Sequence, residues 1–465
     1  KGIAKLVSNT SEQQQPPQPA LPEEERQKRE AEKADKRKAR KNNGAKRDMH
    51  YEMEEEEHVV YPDDPDFDIN KARLFTTVPR ICVRYECVPM RFIKHVYKIH
   101  TYAQDGRLFE GKTPVSAFLN SSYDGSFIAG LMELRYIQSL PVERIINYFE
   151  SHGFTLKKPT AHKLMEKASS LFENLYKCIR QTALSDPYKA ADETYYKILV
   201  PEKNSKGKGV RKGYLWVVVG INTRMIYLLY DDGSRSEKVI LNELGGCKGI
   251  IQSDGYSPYR KLESDAYPNI TRIPCLQHIK RKFIDCGEKD PDAKRIVELI
   301  NALYQNEHKH KVGVEGWTVE QNLMHRKKYA PDILGEIKDV LDDIEERGDL
   351  LPKSELKEAI TYLRNEWNAV VDIFNYGDTY LDNNIVERMN RYISLSRKNS
   401  LFFGSHKGAE RGAILYTIAL TCRMNKVNLF EYLTDVINRT AEWQPNTPLE
   451  KYRQLLPDRW EKAND

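Results

Sequence analysis

The sequence predicts an α/β protein built on a mixed β-sheet. Three β-rich runs are separated by turn residues, and after them helix and strand alternate. The predicted strands are residues 189–200, 213–221, 225–230, 249–253 and 270–274, with helices over 236–244 and from Leu276 onward. Three meandering strands followed by alternating helix and strand is the order of an RNase H-like fold. In that fold the first and fourth strands lie side by side at the sheet centre.

Helical segments flank the predicted strands. Residues 114–185 carry apolar side chains at helical spacing, and the two segments between Pro141 and about residue 180 have the size of a helix-turn-helix. A plain helical subdomain explains the same pattern and is favoured. Residues 285–380 are charged and helical, with Trp367 expected in the core rather than on a base-stacking surface.

The 285–380 block separates the strands from a later polar helix, so we interpret it as a helical insertion. This interpretation divides the core domain into residues 186–284 and 381–404. Residues 405–465 follow as a C-terminal helical element.

The first 60 residues are polar and of low complexity, which predicts a disordered arm. Between Arg26 and Arg47 there are eleven Lys or Arg residues and three acids. This local excess of 11 − 3 = +8 is enough for nonspecific phosphate contact. A solvated linker that keeps the protein soluble explains it equally well.

Residues 67–111 alternate like a pair of β-strands and predict a small β-rich module. Its cysteines and histidines are Cys82, Cys87, His95 and His100. Seven residues separate Cys87 from His95, fewer than the roughly 12 of a two-Cys two-His finger. Strand alternation explains these residues more simply, so we predict no zinc site.

Composition limits the classes of protein to consider. The 465 residues are enough for two or three domains, and 73 Lys or Arg against 68 Asp or Glu leave a net charge of only +5. That excess alone does not indicate a nucleic-acid partner. Seven scattered cysteines favour a reducing cytoplasm, and no apolar run approaches the roughly 20 residues that span a bilayer.

Three carboxylates carry the predicted chemistry. Asp192 lies in the first strand of the sheet, Asp254 ends the fourth, and Glu387 lies on a polar helix for which Asp382 is the predicted N-cap. Taken alone, Glu387 is best explained by an intrahelical pair with Arg391. The apolar face of that helix is predicted to be Ile385, Met389, Tyr392 and Ile393.

Carboxylates that converge at one sheet edge repel one another unless a cation neutralises them. Hard oxygen ligands suit Mg²⁺ or Mn²⁺, and two such ions roughly 3.5–4 Å apart support in-line phosphoryl transfer. We therefore predict that Asp192, Asp254 and Glu387 bind the metal ions and catalyse a reaction of a phosphodiester substrate.

The residues around these acids suit a polyanion. Basic and polar groups can neutralise a phosphate backbone, and aromatic rings can stack on frayed bases. The predicted DNA-binding residues are His278, Lys280, Arg281, Lys282, Asn383, Asn384, Arg388, Arg391, Arg397, Lys398, Tyr256 and Tyr259. Some of these cations are expected to be ordinary surface charges, and His278 is expected to orient phosphate rather than to act as a general base.

Six ordered motifs resemble the insertion-sequence sixty-six family of bacterial DDE transposases. They are ADET from Ala191, QSDGYSPY from Gln252, CLQHIKRKF from Cys275, LDNNIVERMNR from Leu381, RKNSLFFGSHKGAERGA from Arg397 and LLPDRW from Leu455. The resemblance implies that Asp192, Asp254 and Glu387 are the DDE triad on an RNase H-like core. The family's zinc-binding module carries paired Cys-x-x-Cys motifs, which are absent here.

The resemblance also implies a function and its partners. We expect a transposase that cleaves double-stranded DNA at the terminal inverted repeats of its own element and joins the freed 3′ hydroxyl to target DNA. A homo-oligomer on DNA, element-encoded accessory proteins and a nucleoid-associated place in the bacterial cytoplasm are further expectations. The alternatives are a catalytically silent DNA-binding protein of transposon origin and a nuclease without joining activity.

Overall fold

The computed structural model describes residues 90–462, apart from short gaps. The gaps are residues 97, 99–100, 105–106, 111–115, 119–120, 204–206, 208, 288–289, 310, 315, 349, 442 and 445. The predicted arm over 1–60 lies outside the described residues. Cys82, Cys87 and His100, considered above as zinc ligands, also lie outside them.

A five-stranded mixed sheet forms the centre of the described chain, in the order β5-β4-β3-β6-β7. Its strands are β3 (Tyr188–Leu199), β4 (Val210–Gly220), β5 (Met225–Leu229), β6 (Gly249–Ser253) and β7 (Ile270–Pro274). The first three pair antiparallel, and β3, β6 and β7 pair parallel. The predicted mixed α/β architecture is confirmed.

Helices cover both faces of this sheet, which explains the unbroken apolar run from Leu215 to Val219 in β4, where every side chain is buried. The helices before β6 are α1 (Gly125–Tyr136), α2 (Val142–Ser151), α3 (Lys158–Leu171), α4 (Glu173–Ser185) and α5 (Glu237–Leu244). Helix α4 contacts β4 and β5. The helices predicted over 114–185 are therefore present as α1 to α4.

The later helices complete the two layers. They are α6 (Ser257–Arg260), α7 (Leu276–Asp285), α8 (Pro291–Glu307), α9 (Val319–Arg347), α10 (Glu355–Ile373), α11 (Asn384–Asn399), α12 (His406–Met424), α13 (Leu429–Thr440) and α14 (Leu449–Arg453). Helix α12 packs on β5, α11 on β3 and α10 on β7. Within the described ranges, no helix is long and apolar enough to cross a bilayer.

The buried side chains form two apolar clusters. One joins most of the sheet to the N-terminal and C-terminal helices, and the other joins β7 and α7 to helices α8, α9 and α10. Trp367 on α10 is partly buried and packs against the second cluster, as expected for a core residue rather than an exposed stacking surface.

The strand prediction for the N-terminal module is wrong over residues 90–96, which are irregular. A short antiparallel pair, β1 (Thr101–Gln104) and β2 (Arg107–Glu110), follows instead. Phe92 packs its ring against the rings of Phe149 and Phe154, with centroids 5.0 and 4.7 Å apart. The apolar residue that suggested a strand is therefore held by helices and the loop after α2, while His95 is exposed.

Candidate active site

The sheet places Asp192 and Asp254 side by side, where β6 ends beside the first half of β3. Strands β3 and β6 run parallel, and the register pairs Ala190 with Gln252. Two residues further along each strand direction lie Asp192 and Asp254. The two carboxylates are close enough for the negative charge of Asp254 to help raise the pKa of Asp192.

The surroundings of the Asp192 side chain disfavour its negatively charged form. Burial, followed by repulsion from Glu193 and Asp254, raises its pKa from 3.8 to about 7. Two donors partly offset that cost: the Glu193 N–H donates to Oδ1 at 2.8 Å, and Asn390 Nδ2 donates to Oδ2 at 2.6 Å. Glu193 also has a raised pKa through burial, although Arg235 donates to it. A cation beside Asp192 and Asp254 would relieve this repulsion.

Helix α11 places Glu387 beside Asp192 by bonding to β3 at two points. Asn390 binds the Asp192 carboxylate, and Asn383 Nδ2 donates to the Ala191 carbonyl at 3.0 Å. Asp192 and Glu387 consequently line one cleft of about 510 Å³. The third predicted acid therefore shares a cleft with the first.

The start of α11 differs from the prediction. Asn383, not Asp382, is the N-cap, and its side chain makes no cap bond because it donates to β3. Asp382 instead accepts from the Asn384 N–H at 3.1 Å. The fully buried face is Val386, Asn390, Ile393 and Ser396. Of the predicted apolar face, Ile393 is buried, and Ile385, Met389 and Tyr392 are partly buried and pack against the same apolar cluster.

The Glu387 carboxylate does not form the predicted alternative pair with Arg391 among the ion pairs of the described residues. It instead faces His278 on α7, with Nδ1 3.7 Å from Oε1. Asp254 lines an adjoining cleft of about 300 Å³, and His278 and Arg281 line both clefts. The three acids therefore line two clefts that share His278 and Arg281.

Asp254 is positioned by a buried ion pair that the sequence analysis missed. Arg272 on β7 donates through Nη1 to the Asp254 carbonyl at 3.2 Å and pairs with Glu366 on α10, and both charged side chains are buried. A charge within the apolar strand ITRIP was the available signal, because a buried charge requires a partner.

A contact of Gly255 also holds the loop after β6 in place. Its N–H donates to the Tyr362 hydroxyl at 2.8 Å, and a Cβ at this position would lie 2.5 Å from that hydroxyl oxygen. Only glycine lets the backbone approach α10 so closely. Helix α10 thus fixes the loop that carries Asp254.

The chain matches the sequence pattern of a known family. A sequence model described as Transposase IS66 family matches residues 120–411, more than half of the chain, and this range includes all three acids. The protein belongs to the IS66 (insertion-sequence sixty-six) family of transposases. The resemblance inferred from the six motifs is confirmed, and membership supports a transposase role.

Three relatives of this IS66 chain come from Sinorhizobium fredii. Uncharacterized protein y4jD is 26% identical over 346 residues, which are 71% of this chain and 65% of the relative, slightly less than two thirds. Uncharacterized protein y4hP is 24% identical over 438 residues, covering 89% of this chain and 76% of the relative. Uncharacterized protein y4qI is 26% identical over 384 residues, covering 79% and 69%.

Most of the predicted DNA-binding residues of this IS66 chain surround the two clefts. His278, Arg281, Asn384, Arg388 and Arg391 line the cleft of Asp192, and Tyr256 and Lys282 line that of Asp254. Lys280, Arg397 and Lys398 lie outside the two linings.

Two of the predicted contacts are wrong because their side chains are buried. Tyr259 is fully buried, edge-on to Trp216 with ring centroids 6.2 Å apart, and cannot stack on a base. Asn383 is also buried and is engaged with the Ala191 carbonyl. Both residues shape the core beside the acids of the IS66 chain instead of facing a ligand.

A row of alternating cations and aromatic rings, here named the cation–tyrosine row, was missed by the sequence analysis. Its members are Arg397, Tyr195, Lys212, Tyr214, Arg235 and Tyr256. Arg397 and Lys212 lie 4.0 and 4.2 Å from the Tyr195 ring centroid. Arg235 lies 4.2 Å from the ring of Tyr256, two residues after Asp254. The row thus reaches the second cleft of the IS66 site.

Proposed function

We propose that this IS66 family protein is a DDE transposase with an RNase H-like core. It would cleave a phosphodiester at the ends of its own element and join the freed 3′ hydroxyl to target DNA. The observation that carries the proposal is the pairing of Ala190 with Gln252, which puts Asp192 beside Asp254, together with the shared cleft of Asp192 and Glu387.

The donor set fits divalent cations. Asp192 has a pKa raised by burial and by neighbouring acids, and the Glu387 Oε1 atom is shielded from solvent without a hydrogen-bond partner in the described chain. Both features are expected where carboxylates await a cation. We propose that Asp192, Asp254 and Glu387 hold two Mg²⁺ or Mn²⁺ ions. When bound, these ions would activate the attacking oxygen and stabilise the leaving oxygen.

The protein's own residues orient the acids and bind the DNA. Asn390 and the Glu193 N–H fix the Asp192 carboxylate, and Arg272 and Tyr362 fix the loop of Asp254. We propose that Arg281, Arg388 and Arg391, which are exposed around the clefts, contact phosphates. The cation–tyrosine row would hold an unpaired strand through stacking and charge.

The wider expectations stand as parts of the same proposal. Helices α2 and α3 are candidates for a DNA-binding pair, and residues 285–380 for an insertion that supports the site through α10. Action as a homo-oligomer on paired element ends, the use of accessory proteins and association with the nucleoid follow the family resemblance.

The test is a cleavage and joining assay on a labelled duplex that carries the inverted repeats flanking the coding region. Wild type, Glu387→Gln and the control Glu410→Gln are incubated with Mg²⁺ or EDTA. Glu410 is exposed and lines neither cleft. We expect nicked and joined products with Mg²⁺ from wild type and control only.

The outcomes separate the proposal from its rivals. Strand transfer retained by Glu387→Gln would refute the role of the third acid. Nicking without joined products would identify a nuclease, and specific binding of the repeats without any cleavage would support the catalytically silent protein.

A further inference from the structure

Beside Asp192, the Glu387 carboxylate has a second set of neighbours that the proposed chemistry does not use. Cys275 is the N-cap of α7, His278 stands three residues later in its first turn, and Glu387 faces them from α11. The Cys275 sulfur, a His278 ring nitrogen and a Glu387 carboxylate oxygen all lie within 4.8 Å of one another. Among the described residues, no other three such side chains bring ligand atoms so close.

Two of these ligand atoms are shielded from solvent and unsatisfied. His278 Nδ1 and Glu387 Oε1 have no hydrogen-bond partner within the described part of the chain, and they lie 3.7 Å apart, too far for a direct hydrogen bond. A polar atom shielded from solvent without a hydrogen bond destabilises the folded protein. Two facing atoms of this kind point to a missing partner between them.

Backbone N–H groups lie beside the Cys275 sulfur. Without a metal ion, burial and the Glu387 carboxylate raise the pKa of the Cys275 thiol to about 12, so the sulfur is a neutral thiol, although the N–H groups of Asn383 and His278 act in the opposite direction. The Asn383 N–H lies 3.2 Å from Sγ. Backbone donors that point at a sulfur stabilise the thiolate, which is the form that binds metal.

We propose that Cys275, His278 and Glu387 form a site for a soft divalent cation such as Zn²⁺. Thiolate, imidazole and carboxylate are the ligands that Zn²⁺ prefers, and three protein ligands leave its fourth position open to the cleft. Two ligands about 2.1 Å from a tetrahedral ion lie about 3.4 Å apart, close to the 3.7 Å between His278 and Glu387. Binding would release the thiol proton to solvent as the Zn–S bond forms.

Occupation of this site has a consequence that rests on the proposed function. Glu387 cannot complete the Asp192 and Asp254 site while its carboxylate is held by Cys275 and His278. Zn²⁺ should therefore inhibit Mg²⁺-dependent cleavage by withdrawing the third acid, not by displacing Mg²⁺ from the two aspartates. Cation binding itself does not require the proposed chemistry.

The binding test titrates Co²⁺, which substitutes for Zn²⁺, into the EDTA-treated full-length protein and records the thiolate-to-cobalt absorption band. The variants are Cys275→Ser and His278→Ala, with Cys286→Ser as the matched control. Cys286 is the C-cap of the same helix and is not in the cluster. We expect one band in wild type and control, its loss in Cys275→Ser, and at least tenfold weaker binding in His278→Ala.

A wild type without the band, or a Cys275→Ser protein that retains it, would overturn the site. Circular dichroism verifies that each variant is folded. If Cys275→Ser does not fold, His278→Ala decides: Co²⁺ affinity unchanged within twofold would overturn the site.

The inhibition test adds Zn²⁺ to the Mg²⁺-dependent cleavage assay. We expect wild type and Cys286→Ser to lose activity at Zn²⁺ concentrations at least tenfold lower than those that inhibit Cys275→Ser. Equal sensitivity of all three proteins would overturn the inhibitory role. A wild type that shows the cobalt band but never cleaves the repeats would refute the proposed function while supporting the metal site.

Discussion

Replacing Asp192 by Asn is expected to stabilise the protein in the absence of divalent cations. The pKa of Asp192 is raised from 3.8 to about 7, first by burial and then by Glu193 and Asp254. Since one pKa unit corresponds to about 1.4 kcal/mol, ionising this side chain costs the folded state about 4 kcal/mol at high pH. An uncharged Asn removes that cost.

The substitution keeps the local hydrogen bonds. The Glu193 N–H can still donate to the side-chain oxygen at position 192. Asn390 now donates Nδ2 to Asp192, and its own Oδ1 has no partner among the described residues. If the Asn390 amide turns over, that Oδ1 accepts from the new Asn. The variant therefore tests charge with little change in packing.

The sign follows from the raised pKa. Between pH 4 and 7 the folded state holds a proton on Asp192 that the unfolded chain has lost, so stability falls as the pH rises. Between pH 5 and 8 this group should lower the free energy of unfolding of wild type by about 2–3 kcal/mol. The Asn variant lacks this contribution.

Urea unfolding in EDTA at pH 5 and pH 8 measures the difference, with the exposed Asp265→Asn as control. The stability gap between Asp192→Asn and wild type should widen by about 2–3 kcal/mol toward pH 8. Added Mg²⁺ should stabilise wild type more than the variant. A gap that is independent of pH, or a variant less stable than wild type at pH 8, would refute the argument.

Three further predictions concern the surroundings of the acids. Arg272→Met removes the hydrogen-bonded partner of the buried Glu366 carboxylate, which keeps only Arg260 at 3.9 Å, and should lower the free energy of unfolding in urea by about 3–5 kcal/mol. Gly255→Ala places a Cβ 2.5 Å from the Tyr362 hydroxyl and should reduce the cleavage rate about 100-fold, because it displaces the Asp254 loop. Tyr214→Ala should weaken binding of a single-stranded oligonucleotide, measured by fluorescence anisotropy, by about 1–3 kcal/mol.

Matched controls exist for two of these changes. Lys261→Met breaks an exposed ion pair with Glu237 and should cost no more than about 1 kcal/mol. Gly246→Ala adds a Cβ that meets nothing within 4 Å and should leave the cleavage rate unchanged. Equal losses in Arg272→Met and Lys261→Met, or in the two glycine variants, would contradict the roles assigned to Arg272 and Gly255.

The sheet was predictable because its signals are local. The run GIIQS between turn residues forms β6, and β7 also begins and ends where the sequence predicts. The adjacency of Asp192 and Asp254 followed from strand order. The strand prediction for residues 90–96 was wrong because alternation shows where apolar side chains lie in the sequence and not what they pack against. Phe92 packs against other aromatic rings and not against a strand.

The supporting contacts of the site were not predictable in the same way. Asn390 binds a carboxylate 198 residues away, and Arg272 meets a glutamate 94 residues away, and neither pairing leaves a periodic pattern. The burial of Tyr259 was equally invisible, because its neighbour Tyr256 is similar in type and remains partly exposed. Long-range pairing of polar side chains is decided by the fold, not by local composition.

In the proposed site, the two aspartates are held by more contacts than the Glu387 side chain. Asp192 belongs to a paired strand and Asp254 to a loop that Arg272 and Tyr362 hold, so both acids have a fixed place. The backbone of α11 is equally fixed, but the Glu387 side chain stands between the Asp192 cleft and His278 with its Oε1 unsatisfied. We therefore expect the bound ligand to determine which way the Glu387 side chain points. Because one carboxylate cannot serve both places, binding of DNA with Mg²⁺ and binding of a soft cation at Cys275 should weaken each other by the same factor.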